Sequence, residues 1–336
     1  MEFATLVLGF LIAWIINGIT FFISKFNFWV DIDKKQKSHA VHTGAVPRIG
    51  GLGIFLSTFF ISIVSYPQLW KFLYPGALAF LIGFIEDVKK NIHPKLRLGI
   101  VFLASVIAVV LLNVKIHNIG FVQLPAVISI LLTIIAIAGY TNAINIIDGL
   151  NGLAAGISAT FFLFLGVTFY EYGYTDLSFL CFSVIAGIVG FLVFNFPYGK
   201  IFLGDGGAYF LGFLCAVLSI KLINLVPEIS PWFPFMLGVY PVWEVLFSAY
   251  RRMKKGRHPF YPDKLHLHTL VFYRITRSNP KASAILLVIN FVFSFIAFMF
   301  KSCTTCLIVE FLEFVILYLV FYKYVINTAK LSSNKN

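Results

Sequence analysis

The feature that most constrains this chain is a succession of apolar runs separated by short charged segments. A helix that spans a bilayer needs ~20 predominantly apolar residues. Eleven runs meet or approach that length: 4–24, 52–66, 74–88, 98–113, 122–141, 153–170, 177–195, 205–223, 232–250, 282–300 and 306–326. Of the 336 residues, 60% are hydrophobic and 12% charged. A soluble chain carries roughly 25% charge, so a water-facing surface cannot be coated here. Continuous runs also exclude a β-barrel, whose strands alternate over ~10 residues. The expected fold class is therefore all-α, a polytopic helical membrane protein. One integral domain covers 1–326, and a short polar tail covers 327–336. The run 52–66 is short enough to be tilted or re-entrant. The first run does not read as a cleavable signal peptide: it begins Met1-Glu2, without a basic n-region or a small-residue cleavage site.

The formal net charge is +12. In a soluble protein this would suggest nucleic acid, but here the cations lie between spans, so sidedness is the first reading and nucleic acid is not expected. Segments 31–51, 86–97, 142–152, 196–204, 251–281 and the tail fall on one side and carry 20 Lys and Arg, against 4 on the other. The positive-inside rule then places the N-terminus outside and the C-terminus in the cytoplasm. The same side holds Asp31, Asp33, Glu86, Asp87, Asp148, Asp205, Asp263 and six of the seven histidines. Function is expected on that face. A transporter or lipid flippase would place ionisable groups near mid-span in both halves of a repeat. Among carboxylates within spans, Glu244 lies near a cytoplasmic end and could line the site. Glu310 and Glu313 read as interfacial.

Four cytoplasmic stretches concentrate polar residues, and a fifth leads into the second run. Glu86-Asp87 closes an otherwise uncharged span. It reads either as a cap balanced by Lys89 and Lys90 or as a paired-carboxylate site. In Asn142-Ala-Ile-Asn145-Ile-Ile-Asp148-Gly149-Leu-Asn151-Gly152, polar groups recur every three residues beside glycines. Oxygens so arranged suit a hard cation or a nucleotide edge; the plain alternative is interhelical hydrogen bonding. Gly204-Asp205-Gly206-Gly207 precedes a long helix. Asp205 there would hold Mg²⁺ against a pyrophosphate, or merely cap the helix. His266 and His268, with Arg257, Asp263 and Lys264 nearby, suit phosphate; the plain alternative is a basic loop on an anionic leaflet. Lys37, His39 and Arg48 lead into the second run, where Pro47 and the pair Gly50-Gly51 mark a turn. Cys303 and Cys306 form a C-x-x-C without the second pair a zinc site needs; whether they are bonded stays open.

In this order the five stretches resemble the polyprenyl-phosphate N-acetylhexosamine-1-phosphate transferases. The branch that initiates O-antigen, teichoic-acid and enterobacterial-common-antigen-like glycans is the most similar. The resemblance covers roughly 34–275. It implies an enzyme of the bacterial cytoplasmic (inner) membrane with a UDP-N-acetylhexosamine donor, UDP-N-acetylglucosamine first. The acceptor is undecaprenyl phosphate, the product UMP, and the cofactor Mg²⁺ or Mn²⁺. The resemblance assigns Asp205 and Asn151 to the metal, and Glu86, Asp87, Asp148, His266 and His268 to catalysis, with Asp87 the candidate base. Lys37, His39, Arg48, Lys90, Asn142, Asn145, Asp148 and Asp263 are expected on the substrates. Glu86 stands where Asp is usual, and Asn151 where many bacterial members have Asp. His-Leu-His departs from the three consecutive histidines of the muramoyl-pentapeptide branch, which argues against that substrate. No span carries a decisive dimer motif, so a homodimer stays open.

Overall fold

The computed structural model describes residues 2–24, 46–259 and 265–333. Among them the chain forms thirteen α-helices and no strand beyond a single bridge between Asn118 and Gln123. The helices are α1 (Glu2–Ser24), α2 (Gly51–Ser65), α3 (Trp70–Lys89), α4 (Pro94–Leu112), α5 (Ala126–Ile147), α6 (Leu153–Glu171) and α7 (Thr175–Asn195). They continue as α8 (Gly204–Leu225), α9 (Trp232–Leu237), α10 (Val239–Lys254), α11 (Leu267–Val271), α12 (Asn279–Met299) and α13 (Thr304–Ser333). Nine of these described helices are long and apolar enough to cross a bilayer, α3 together with the short turn that precedes it.

Two expected spans take another form. The run at 52–66 is the 15-residue helix α2. The run at 232–250 is broken at Gly238 into α9 and α10. Pro241 explains the break. Inside a continuous helix it would remove a hydrogen bond and press its ring on the carbonyl of residue 237. In the first turn of α10 its missing N–H costs little. Two expected loops are also partly helical. α5 continues to Ile147, so Asn142 and Asn145 sit on its last turns, and α3 carries Glu86 and Asp87.

α8 is the axis of the bundle. It is apolar nearly all round, as a helix enclosed by other helices must be. It packs on α2, α3, α5 and α6. Glycines let these backbones touch. A Cβ on Gly51 would stand 2.2 Å from the Cα of Gly207, and one on Gly83 would stand 2.5 Å from the carbonyl carbon of Asp205. Further along, a Cβ on Gly212 would lie 2.8 Å from the Cα of Thr141 in α5. In lipid, close approach of small residues replaces hydrophobic exclusion as the force between helices. Aromatic rings fill the space beyond: Phe55 stacks on Phe80 at 4.2 Å and meets Phe210 edge-on at 5.2 Å.

The consequence is a polarised bundle. The ends of α3 and α5 and the beginnings of α2, α4 and α8 meet at one end, which holds Glu86, Asp87, Asp148 and Asp205. The opposite end holds simple ties, such as Lys301 to Glu171 at 2.6 Å and Asn224 to the carbonyl of Lys115 at 2.8 Å. Cys303 and Cys306 are disulfide-bonded there, at the start of α13.

Candidate functional site

The site is built on the first turn of α8. Gly204 begins that helix at φ +80°, and a Cβ on it would stand 1.9 Å from the carbonyl oxygen of Arg48 and 2.6 Å from the Asp87 carboxylate. Both the left-handed conformation and the close approach require glycine. The chain before α2 is laced to the chain before α8: Gly50 and Gly51 donate their N–H groups to the carbonyls of Phe202 and Leu203 at 2.9 and 2.8 Å. The free N–H groups of a helix's first turn need acceptors. Asp87 supplies them from α3. Its Oδ1 accepts from the Asp205 amide and its Oδ2 from the Gly206 amide, both at 2.9 Å. Asp87 thus acts as a cap on a helix 118 residues away in sequence.

Held in this way, the Asp205 carboxylate faces two donors. Its Oδ2 pairs with the Arg97 guanidinium, and its Oδ1 accepts from Asn145 Nδ2 at 3.1 Å. Arg97 Nη1 also lies 4.0 Å from Glu86 Oε1, while Glu86 Oε2 accepts from the Ile92 amide at 2.9 Å. The Nε of Arg97 is buried and has no hydrogen-bond partner among the described residues. Asp148 follows the end of α5. Burial pushes its carboxyl up to about 7; the charge of Arg48 opposes this and that of Asp205 adds to it. Asp148, Arg48 and Asp205 therefore feel one another's charge.

The remaining expected residues divide. Asn142 donates to the carbonyl of Ala138 on its own helix at 2.8 Å. Lys90 ends α3 in the left-handed conformation, its N–H on the Glu86 carbonyl at 2.8 Å. Asn151 is buried and holds the turn between α5 and α6. Its Nδ2 donates to the Pro197 carbonyl at 2.9 Å, and its own N–H donates to Asn279 Oδ1 at 2.8 Å. Lys37, His39 and Asp263 lie outside the described residues. Arg97 was not foreseen, because in the sequence it reads as one more cation that sets topology.

A second cluster lies on α10 and at the start of α11. The ring of His266 stacks on that of His268 at 5.6 Å between centroids, with planes 10° apart. His266 Nδ1 lies 2.9 Å from Oε1 of Glu244, a carboxylate with no solvent exposure. His268 is buried against Gly149, where a Cβ would stand 2.7 Å from its Nε2. Burial pulls the His268 imidazole down to about 4; the charge of Glu244 opposes that shift and His266 adds to it. His268 is thus neutral at physiological pH. The two clusters meet at the Asp148-Gly149 turn.

A cavity of about 590 Å³ runs between α5, α8, α9 and α10. Its walls are largely apolar, with Leu132, Ala136, Ile220, Trp232 and Leu246 among them. On α5 the lining reaches Ala143, two residues from Asn145. The cavity thus lies alongside α5 and α10, and its lining does not include Asn145, Asp148 or Asp205.

The donor set fits a hard divalent cation. Mg²⁺ commonly takes one or two carboxylates and completes its shell with water and phosphate oxygens. Asp205 already faces a cation in Arg97, and Asp148 is in electrostatic reach. Among the described residues no three His, Cys, Asp or Glu side chains form a closed metal cage.

Comparison with known proteins gives the site its setting. Residues 69–223, which include Glu86, Asp87, Arg97, Asn145, Asp148 and Asp205, match the model of glycosyl transferase family 4. The chain is 27% identical to an undecaprenyl-phosphate alpha-N-acetylglucosaminyl 1-phosphate transferase of Escherichia coli O157:H7, over 75% of this chain and 72% of that protein. It is 28% identical to the protein of the same name from Salmonella typhi, over 68% of this chain and 66% of the relative. It is 29% identical to a probable undecaprenyl-phosphate N-acetylglucosaminyl 1-phosphate transferase of Bacillus subtilis, over 80% and 77% respectively. The resemblance drawn from motif order is borne out, and the muramoyl-pentapeptide and transporter readings gain no support from these relatives.

Proposed function

With a glycosyl transferase family 4 core at its centre, this chain, we propose, transfers N-acetylglucosamine-1-phosphate from UDP-N-acetylglucosamine to undecaprenyl phosphate and releases UMP. The observation that carries the reading is the meeting of Asp205, Arg97, Asn145 and Asp148 at one end of a bundle that also holds an apolar groove. Charged groups of both signs suit a diphosphate; the groove suits an isoprenoid tail. The sugar and the acceptor follow the names of the relatives.

An oxygen of the lipid phosphate attacks the β-phosphorus of the donor, and the phosphoanhydride bond to UMP breaks. The main obstacle is repulsion between two anions, which pre-placed cations and dipoles relieve. A phosphate monoester, with a second pKa of ~6, is already ionised at neutral pH and needs no base. That agrees with the use of both Asp87 oxygens in capping α8, and it favours direct in-line attack over an aspartyl intermediate. Asp205 would hold Mg²⁺, with Asp148 in electrostatic reach, and the ion would supply neutralisation of charge on the diphosphate. Arg97 would leave Asp205 for a phosphate oxygen. Asn151 holds the turn that carries Asp148. His266 and His268 approach the same turn and would contact phosphate. Lys37, His39, Arg48, Lys90 and Asp263 complete the substrate side of the proposal. The acidic end would face the cytoplasm across a bacterial inner membrane, in line with the excess of cations on that side, and the reaction would open a surface-glycan pathway.

The test is UMP release by the purified protein with undecaprenyl phosphate, Mg²⁺ and a panel of UDP-sugars. Release from UDP-N-acetylglucosamine, dependent on the lipid, is expected. No UMP from any donor overturns the reading.

A further inference from the structure

α10 has two working faces. Val242, Val245 and Leu246 line the apolar groove. Glu244 lies among them in sequence yet makes its contacts inside the protein. Its Oε2 accepts from Tyr318 Oη at 2.6 Å, and both its oxygens accept from the Leu267 amide, at 3.2 and 3.3 Å. Its Oε1 also faces His266 Nδ1 at 2.9 Å and Ser248 Oγ at 3.4 Å. An ionised carboxylate only accepts, so the proton of His266 sits on Nδ1. Its Nε2 lies 3.5 Å from Arg252 Nη2.

These bonds fix two consecutive residues, and the third follows. His268 stacks on His266 and presses on Gly149, beside Asp148. One buried carboxylate therefore sets the distance between the histidine segment and the acidic turn. A buried carboxylate without such donors would be costly, so its position is strongly determined.

We propose that Glu244 is a positioning residue: it orients His266, sets the pair His266–His268 against the Asp148 turn, and ties that alignment to the helix face that lines the groove. The proposal rests on the transferase reading for its effect on turnover, and on geometry alone for the histidines.

Two readouts separate these. Glu244→Ala should lower kcat for UMP release about 10²-fold while KM for UDP-N-acetylglucosamine stays within about threefold, the range seen when partners of functional histidines are removed. Glu244→Gln keeps an acceptor for Nδ1–H and for the Leu267 amide, and its NH₂ can donate to Tyr318. It should stay within about fivefold of wild-type kcat, because geometry rather than charge is what it preserves. Independently of activity, carbethoxylation of His266 and His268 by diethyl pyrocarbonate, followed by mass spectrometry, should be slow in wild type and Glu244→Gln and at least about tenfold faster in Glu244→Ala. Equal modification rates in all three overturn the proposal whatever the activity, as does a glutamine variant as inactive as the alanine one. If the alanine variant does not accumulate, Glu244→Asp replaces it: same charge, one methylene shorter, expected to lose turnover and protection, and overturning the proposal if it loses neither. A wild type silent with every donor defeats the transferase reading, while the modification rates still judge the positioning.

Discussion

The acidic end of α8 and the histidine segment stand side by side but are held by opposite means. Around Asp205 the support is main chain: glycine backbones in contact, amide-to-carbonyl lacing between 50–51 and 202–203, and two amides on Asp87. Around His266 the support is side chain: one carboxylate on α10, one tyrosine on α13 and a ring stack. A main-chain frame fixes a carboxylate with little freedom to relax. A side-chain frame ties separate helices together through a few bonds, and one of those helices lines the groove. The first arrangement suits a group that must meet charge at a fixed point.

The sharpest break in this comparison is Asp205→Ala. It removes the group that the main-chain frame presents and leaves the frame intact. UMP release should fall at least ~10³-fold, with the detergent-solubilised melting temperature nearly unchanged. Activity within tenfold of wild type would remove Asp205 from the reaction.

Attacking the frame itself should give a mixed result. Gly204→Ala carries a left-handed penalty of about 1–2 kcal/mol and a collision with the Arg48 carbonyl. Both the melting temperature and turnover should drop, and a variant with wild-type values of both would mean that this turn is not as tight as described.

The two regions should also titrate in opposite senses. Asp148, at about 7 against an ordinary 3.8, is favoured protonated in the folded state, so its unfavourable contribution grows as pH rises from about 4 through 7. His268, at about 4 against an ordinary 6.5, is favoured neutral, so stability is lost as pH falls from about 6.5 through 4. Melting curves across pH check this. Asp148→Asn should gain on wild type at pH 8 and not at pH 4, whereas His268→Gln should flatten the acid side. A constant offset between Asp148→Asn and wild type over that range would show an ordinary, exposed carboxylate.

The smallest effect is expected from Tyr318→Phe. It deletes one of several donors to Glu244 and should cost about 1 kcal/mol, read as a small drop in melting temperature with turnover within a few-fold. A loss as large as that of Glu244→Ala would put the weight of the side-chain frame on α13 instead of α10.

Much of this was legible in the chain. The apolar runs mark the helices, and Asp205 among glycines marks the start of a helix packed unusually closely. The break at Gly238 was missed, because run length alone reads through 232–250 as one span. Asn145 and Asp148 announce themselves by density of polar groups beside glycine. Arg97 does not, because a cation in a short loop satisfies the topology rule without any further role. Asp87 carries no local sign of capping α8, since its two partners are backbone amides on another helix. Asn151 and Asp148 look alike in spacing, yet one holds a turn and the other a charge.

The sequence alone determined that this is a helical membrane protein with its polar chemistry gathered at one end, because hydrophobic length and the placement of charge are local properties that lipid and water read directly. Tertiary structure alone decided which charges meet. Arg97 meets Asp205, Asp87 meets the amides of α8 and Glu244 meets His266 across separate helices, and no pattern within one segment encodes the distance to another.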